Sequence, residues 1–216
     1  MSRRSRSDAL RRRPARVEPR ERILIVCEGE VTEPGYFRGL KHDLRAAPVT
    51  IEINDQSGVP KTLVERAVEL KKAAEARAKR ERNAYLRYDQ VWCVFDVDAH
   101  PNLPEALQQA KANGIRIALS NPCFELWILL HFQDQRAHLE RKAAAHACRK
   151  HLPRYRKGVA YDALKDRYAE ALQRARDLAD WQEKRGNGGA NPSTGVYLLT
   201  EVLQVLGKKR ALAAHR

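Results

Sequence analysis

The sequence predicts an α/β fold, a four-stranded and mainly parallel sheet with flanking helices and a C-terminal helical extension. Three observations carry that expectation. Short β-rich apolar runs alternate with longer helical ones through the first half of the chain, the pattern of βαβ construction. Beyond residue 120 the periodicity is helical only. The 216 residues suffice for one substantial core with an extension but are short for two independent domains.

Residues 1–21 are basic and nearly free of large apolar groups, so they are expected to form a disordered arm that cannot bury enough surface to offset ordering entropy. Strands are expected at 23–27, 49–53, 91–95 and 115–119, and helices at about 34–46, 61–86 and 103–112. The second helix carries Leu63, Ala67, Leu70 and Ala74 at spacings of four and three, which puts one apolar stripe on a sheet. Its end, 77–87, is too polar to bury and should project. Asn121-Pro122 and Asn191-Pro192 each read as an Asn N-cap with proline at the first helical position, starting helices near Pro122 and Pro192. Helical spacing also runs over 136–149 and 161–181, and Gly186-Asn187-Gly188-Gly189 reads as a loop. The expected organisation is therefore an arm at 1–21, an α/β core at 22–120, a helical extension at 121–208 that completes the domain, and a basic tail at 209–216.

Forty-one Lys+Arg against twenty-seven Asp+Glu give a formal charge of +14. Residues 1–22 hold nine arginines and three acids, so the arm supplies +6 of it. Between 136 and 157 stand Arg136, Arg141, Lys142, Arg149, Lys150, Arg154, Arg156 and Lys157 with Glu140 the one acid. Such a patch suits a nucleic-acid backbone, although a solvated helix face and a free arm give the same composition. No apolar run is long enough for a membrane span and no apolar segment follows the arginine-rich start, so a cytoplasmic protein is expected, with no membrane partner. Cys27, Cys93, Cys123 and Cys148 show no CxxC spacing and read as reduced core residues. His131 and His138 are seven apart and His146 and His151 five apart, neither a zinc-ligand spacing.

Ligands of an open parallel sheet bind at the carboxyl ends of its strands, and here those ends are acidic. The first strand runs into Cys27-Glu28-Gly29-Glu30, where Gly29 allows a tight turn and leaves room for a phosphate near the backbone. The third ends in Asp96-Val97-Asp98. Gathered carboxylates repel unless a cation compensates them, and an all-oxygen set selects Mg²⁺ or Mn²⁺ over zinc. The bland alternative is a set of solvated turn residues. Glu28, Glu30, Asp96 and Asp98 are thus candidate metal ligands, and Glu125, one turn beyond Asn121, is a further one. Lys157, in a break between helices, could neutralise charge on a scissile phosphate.

Taken in order, Cys27-Glu28-Gly29-Glu30 with Thr32-Glu33-Pro34 and Tyr36-Phe37, Phe95-Asp96-Val97-Asp98, Ser120 to Glu125 with Trp127, Tyr155 and Lys157, and Asn191 to Thr194 resemble the RloB-like family, restriction-linked relatives of the Toprim domain. The resemblance spans most of the chain beyond the arm. It implies a Toprim-like, Rossmann-like core and a metal-dependent phosphodiester site, with the Toprim glutamate at Glu28 and the acidic pair at Asp96 and Asp98. Glu30 and Glu33 match less directly. It also implies a role in defence against phage, with cleavage of RNA, tRNA among the candidates, or of DNA, and an ATPase as a partner protein.

Two functions follow. In the first the protein is a Mg²⁺- or Mn²⁺-dependent endonuclease with catalytic Glu28, Asp96, Asp98 and Lys157, the strand held by Arg136, Arg141, Lys142, Arg149, Lys150, Arg154 and Arg156. In the second it is a non-catalytic nucleic-acid-binding subunit beside an ATPase in a defence complex.

Overall fold

A computed structural model describes residues 21–44, 49–53, 59–97, 102–153, 155 and 161–214, with the backbone course alone for 49–53 and 208–214. Residues 1–20 of the expected arm, and Asp98, Arg154, Arg156 and Lys157 among the candidate site residues, lie outside them.

Four parallel strands follow from the apolar runs: β1 Ile23–Cys27, β2 Val49–Ile53, β3 Gln90–Asp96 and β4 Arg116–Asn121. The sheet order is β2-β1-β3-β4-β5. After β1 the chain steps outward to β2, then crosses back past β1 to β3, so the winding direction reverses between β1 and β3. The crevice at such a reversal is where open α/β sheets place ligands.

The fifth strand, β5 Ser193–Thr194, runs antiparallel on β4, pairing Thr194 with Ser120 and Ser193 with Asn121. It was not expected, because two residues carry no periodicity to read.

Alternate residues of each strand feed the two sheet faces. Ile23, Ile25, Cys27, Trp92, Val94 and Ala118 face one core, shared with α1 Thr32–Asp43, α4 Glu125–Leu130, α5 Arg141–His151, α6 Tyr168–Lys184 and α7 Val196–Ala214. Leu24, Val26, Val91, Cys93 and Phe95 face the other, where α2 Pro60–Arg80 lays down Leu63, Val64 and Ala67 and α3 Leu103–Ala112 lays down Ala106 and Ala110. The strands are apolar on both faces because helices cover both.

Several expected boundaries move. Helix α1 begins at Thr32 and α2 stops at Arg80, six residues short, with a 3₁₀ turn at Ala84–Leu86 after it. Helix α7 continues to Ala214 through most of the expected tail.

Both Asn-Pro readings are corrected. Each bond is a cis peptide, α4 begins at Glu125, and β5 precedes α7. Neither asparagine caps a helix, because both side chains are used elsewhere. Asn121 Nδ2 donates to the Gly189 carbonyl at 3.1 Å. Asn191 accepts from Leu139 N–H at 2.9 Å and donates to Leu139 C=O at 2.9 Å, as a neighbouring strand would. Helix α5 starts at Arg141 rather than at 136, the preceding stretch being held in extended form by this bridge.

Candidate metal and phosphodiester site

Register brings the acids together. Cys27 pairs with Val94, so Glu28 emerges beside the last residues of β3, and its own N–H donates to Val94 C=O at 3.0 Å. Asp96 N–H then donates to Glu28 Oε2 at 3.1 Å. Asp96 pairs with Ser120, and Ser120 with Thr194, one lateral row on the face that α1 and α4 cover. Ser120 Oγ and Thr194 Oγ1, 3.0 Å apart, bond each other behind the carboxylates.

Two more carboxylates approach. Glu33, in the first turn of α1, is only 7% exposed, and the free N–H groups of a helix start suit a negative group there. Glu125 opens α4 and accepts a hydrogen bond from the buried Tyr155 hydroxyl at 2.7 Å. Tyr155 itself is buried, only 6% exposed.

The electrostatics record how close these groups are. Burial pushes the Asp96 carboxyl well above the usual range; the charge of Glu33 pushes the same way, Arg141 opposes it, and Glu125 and Glu28 add to the rise. Burial also raises Glu33, its own backbone N–H opposing, with Glu125 and Glu28 raising it further. This is a repelling carboxylate cluster.

The space beside Gly29 is not open to a phosphate. A Cβ there would come within 2.7 Å of the Glu33 Cδ, so the glycine is needed for Glu33's carboxyl to fold against the turn. Glu33 belongs to the sequence motif but was not expected among the ligands. The available signal was its place in the first turn of the helix that follows the acidic loop. Glu30 is exposed in the bend between β1 and α1.

The basic segment divides. Arg136, Lys142, Arg149 and Lys150 are exposed, the last three on α5, whose inner side is Ala144 and Cys148. Arg141 instead reaches the acidic centre, its Nη2 3.2 Å from Asp96 Oδ2.

Among the described residues no group of three or more His, Cys, Asp or Glu side chains is set to hold an ion. The donor chemistry still fits a hard divalent cation. Glu28 and Asp96 are hard oxygen donors joined at the switch point by the Asp96 amide, with the charges of Glu33 and Glu125 beside Asp96 and Arg141 opposing them. Soft metals do not fit: burial, then the charge of Glu125, pushes the Cys148 thiol up to about 12 and Cys123 in the same direction. His131, the C-cap of α4, is buried among the Trp127 and Tyr36 rings, with Nδ1 2.9 Å from the Trp127 carbonyl.

No helix of the described residues is long and apolar enough to cross a membrane. The family model described as RloB-like protein matches residues 23–203. No curated protein and no solved structure matches the chain.

Proposed function

The chain belongs to the RloB-like protein family, and from that premise we propose that it is a Mg²⁺- or Mn²⁺-dependent endonuclease of Toprim type, cleaving phosphodiester bonds of RNA or DNA in antiviral defence in the cytoplasm. The observation that supports this most is the hydrogen bond from Asp96 N–H to Glu28 Oε2, which joins the acidic ends of β1 and β3 at the reversal of the sheet.

Glu28 and Asp96 would hold the ion, joined by Asp98 from outside the described residues, with Glu125 and Glu33 adding negative charge around them. When bound, such an ion polarises a phosphoryl oxygen and acidifies a water. The chain's own residues supply the rest. The Asp96 amide fixes the direction of the Glu28 carboxylate, so its oxygens need no reorganisation when the substrate arrives. Tyr155 likewise holds Glu125. Arg136, Lys142, Arg149 and Lys150, all exposed, would track a strand's phosphates, and Lys157 would neutralise charge at the scissile group.

The purified chain should nick RNA or DNA with Mn²⁺ or Mg²⁺, stop in EDTA, and lose roughly a hundredfold or more in rate on Asp96→Ala. Cleavage that survives both treatments would end the enzyme reading. One observation favours the second reading, a gripping subunit beside an ATPase: Asp96 already has a cationic partner in Arg141. If Asp96→Ala leaves phage protection intact while charge reversal at Arg149 and Lys150 abolishes it, gripping without cutting is the function.

A further inference from the structure

The end of α2 takes no part in the acidic centre. Between 77 and 87 stand Arg77, Lys79, Arg80, Arg82 and Arg87 with Glu81 the one acid, and all five cations are exposed. Arg77, at 2.8 Å, and Arg80, at 3.7 Å, share Glu81, so Lys79, Arg82 and Arg87 have no carboxylate partner among the described residues. Short-range backbone bonds fold the helix end and the 3₁₀ turn into one tip. Asn83 N–H donates to Ala78 C=O at 2.9 Å, Arg82 N–H to Lys79 C=O at 3.2 Å and Arg87 N–H to Ala84 C=O at 3.2 Å. Arg82 takes the left-handed conformation, φ 49°, that suits glycine best at a helix end, so its side chain stands there at a backbone cost.

Tyr85, in the same tip, is the one exposed aromatic ring among the described residues, 65% exposed. Its main chain is held on both sides: its N–H donates to Asn83 Oδ1 at 3.0 Å and its carbonyl accepts from Arg22 Nη1 at 3.3 Å. The Arg22 guanidinium also lies over the Tyr88 ring, 4.8 Å from its centroid. The backbone is fixed while the ring stays in water, so a flat partner meets it without further ordering of the main chain. Ile23 pairs with Gln90 at the start of β1 and β3, which puts the tip at the opposite end of the sheet from Glu28 and Asp96. The length of β3 separates them, about 20 Å.

An unpaired nucleotide offers both things this tip can hold, a flat π face for the ring and a phosphate for each cation. A duplex hides its base faces, and an acidic peptide offers charge alone. We propose that the tip of α2 is a second nucleic-acid surface, which takes a single-stranded segment with Tyr85 stacked on an unpaired base and Lys79, Arg82 and Arg87 on the flanking phosphates. It needs neither metal nor cleavage.

Fluorescence anisotropy of a labelled oligouridylate with the full chain in EDTA, measured over a series of salt concentrations, tests it. Tyr85→Ala should weaken binding on the order of tenfold with the salt dependence unchanged, because it removes stacking and no charge. Tyr85→Phe should bind like the wild type, and Tyr85→Leu, apolar but not flat, as weakly as the alanine variant. Lys79→Ala, Arg87→Ala and Arg82→Gly, the last also relieving the backbone, should each reduce the slope of log affinity against log salt by about 0.7, one phosphate of a single strand. Wild-type affinity in Tyr85→Ala or in Tyr85→Leu overturns the inference. So does displacement of the oligouridylate by polyglutamate at equal charge, which would make an acidic protein segment the occupant. Binding abolished by Arg149→Glu with Lys150→Glu while every tip variant stays at wild-type affinity overturns this surface and leaves the one on α5 standing.

Discussion

Asp96 N–H and Glu28 Oε2 meet at 3.1 Å although the residues stand 68 apart in the chain. The bond exists because β1 and β3 are hydrogen-bonded neighbours and Cys27, the last residue of β1, pairs with Val94, two residues before the end of β3. It makes Glu28 do two jobs, closing a strand-end amide and presenting charge, and substitutions can separate them. Glu28→Gln keeps an acceptor for the amide and removes the charge, so it should leave thermal stability nearly unchanged while cleavage falls on the order of a hundredfold or more. Glu28→Ala should lose the same activity and about 1–3 kcal/mol of stability, from the unpaired amide. Equal melting temperatures for the two variants would show that the hydrogen bond contributes nothing.

Gly29 is specified by its neighbour rather than by backbone dihedral angle. A methyl group at this position would overlap the Glu33 carboxyl. Gly29→Ala should therefore displace the Glu33 carboxyl, the far end of a flexible side chain, and cost at most about 1 kcal/mol, the low end of overpacking. In an Glu33→Ala background the penalty should largely vanish, a coupling that a double-mutant cycle of urea unfolding reads directly. An undiminished penalty in that background would place the strain in the turn itself.

What the sequence disclosed follows the length of each signal. The runs at β1 and β2 are five residues long and bounded by polar or turn-forming residues, and their limits coincide with the structure. The acidic ends of β1 and β3 were visible because sheets of this kind put ligands at strand ends. β5 was invisible because two residues have no period. Asn-Pro is ambiguous in itself, since one dipeptide serves both a helix start and a turn whose asparagine bonds elsewhere; only the partners of Asn121 and Asn191 decide. Arg141 could not be told from its basic neighbours, because what distinguishes it is a long-range contact with Asp96 rather than any local pattern.

His131 makes the fold acid-sensitive. Burial, opposed by the backbone groups of Trp127 and Ile128, lowers its pKa from the ordinary 6.5 to about 4. Between those two values the unfolded chain carries a proton on this imidazole and the native chain does not, so stability is lost as pH falls through that window and is untouched above it. The loss amounts to something on the order of 3 kcal/mol by the lower limit. Asp96 and Glu33, with raised folded pKa values, act oppositely and gain stability on acidification. His131→Phe removes the first contribution and keeps the others, so urea titrations at pH 7 and pH 4.5 should show the wild type losing more stability than the variant. Parallel losses would mean that the imidazole is protonated inside the fold.

Asn191 links the end of the chain to the site. Its amide satisfies both backbone groups of Leu139, which is buried and lies two residues before Arg141. Asn191→Ala leaves a donor and an acceptor without their partner and should cost about 1–3 kcal/mol. Asn191→Asp tests the geometry more sharply. It retains the acceptor for Leu139 N–H but sets a carboxylate against Leu139 C=O, so it should be no more stable than the alanine variant, although it is nearly isosteric with the native residue. Because the stretch leading to α5 also sets where Arg141 begins, both variants should lower cleavage more than their stability loss explains under conditions where the protein remains folded. Full activity in a folded Asn191→Ala protein would show that α5 is positioned by Ala144 and Cys148 packing alone, independent of this bridge.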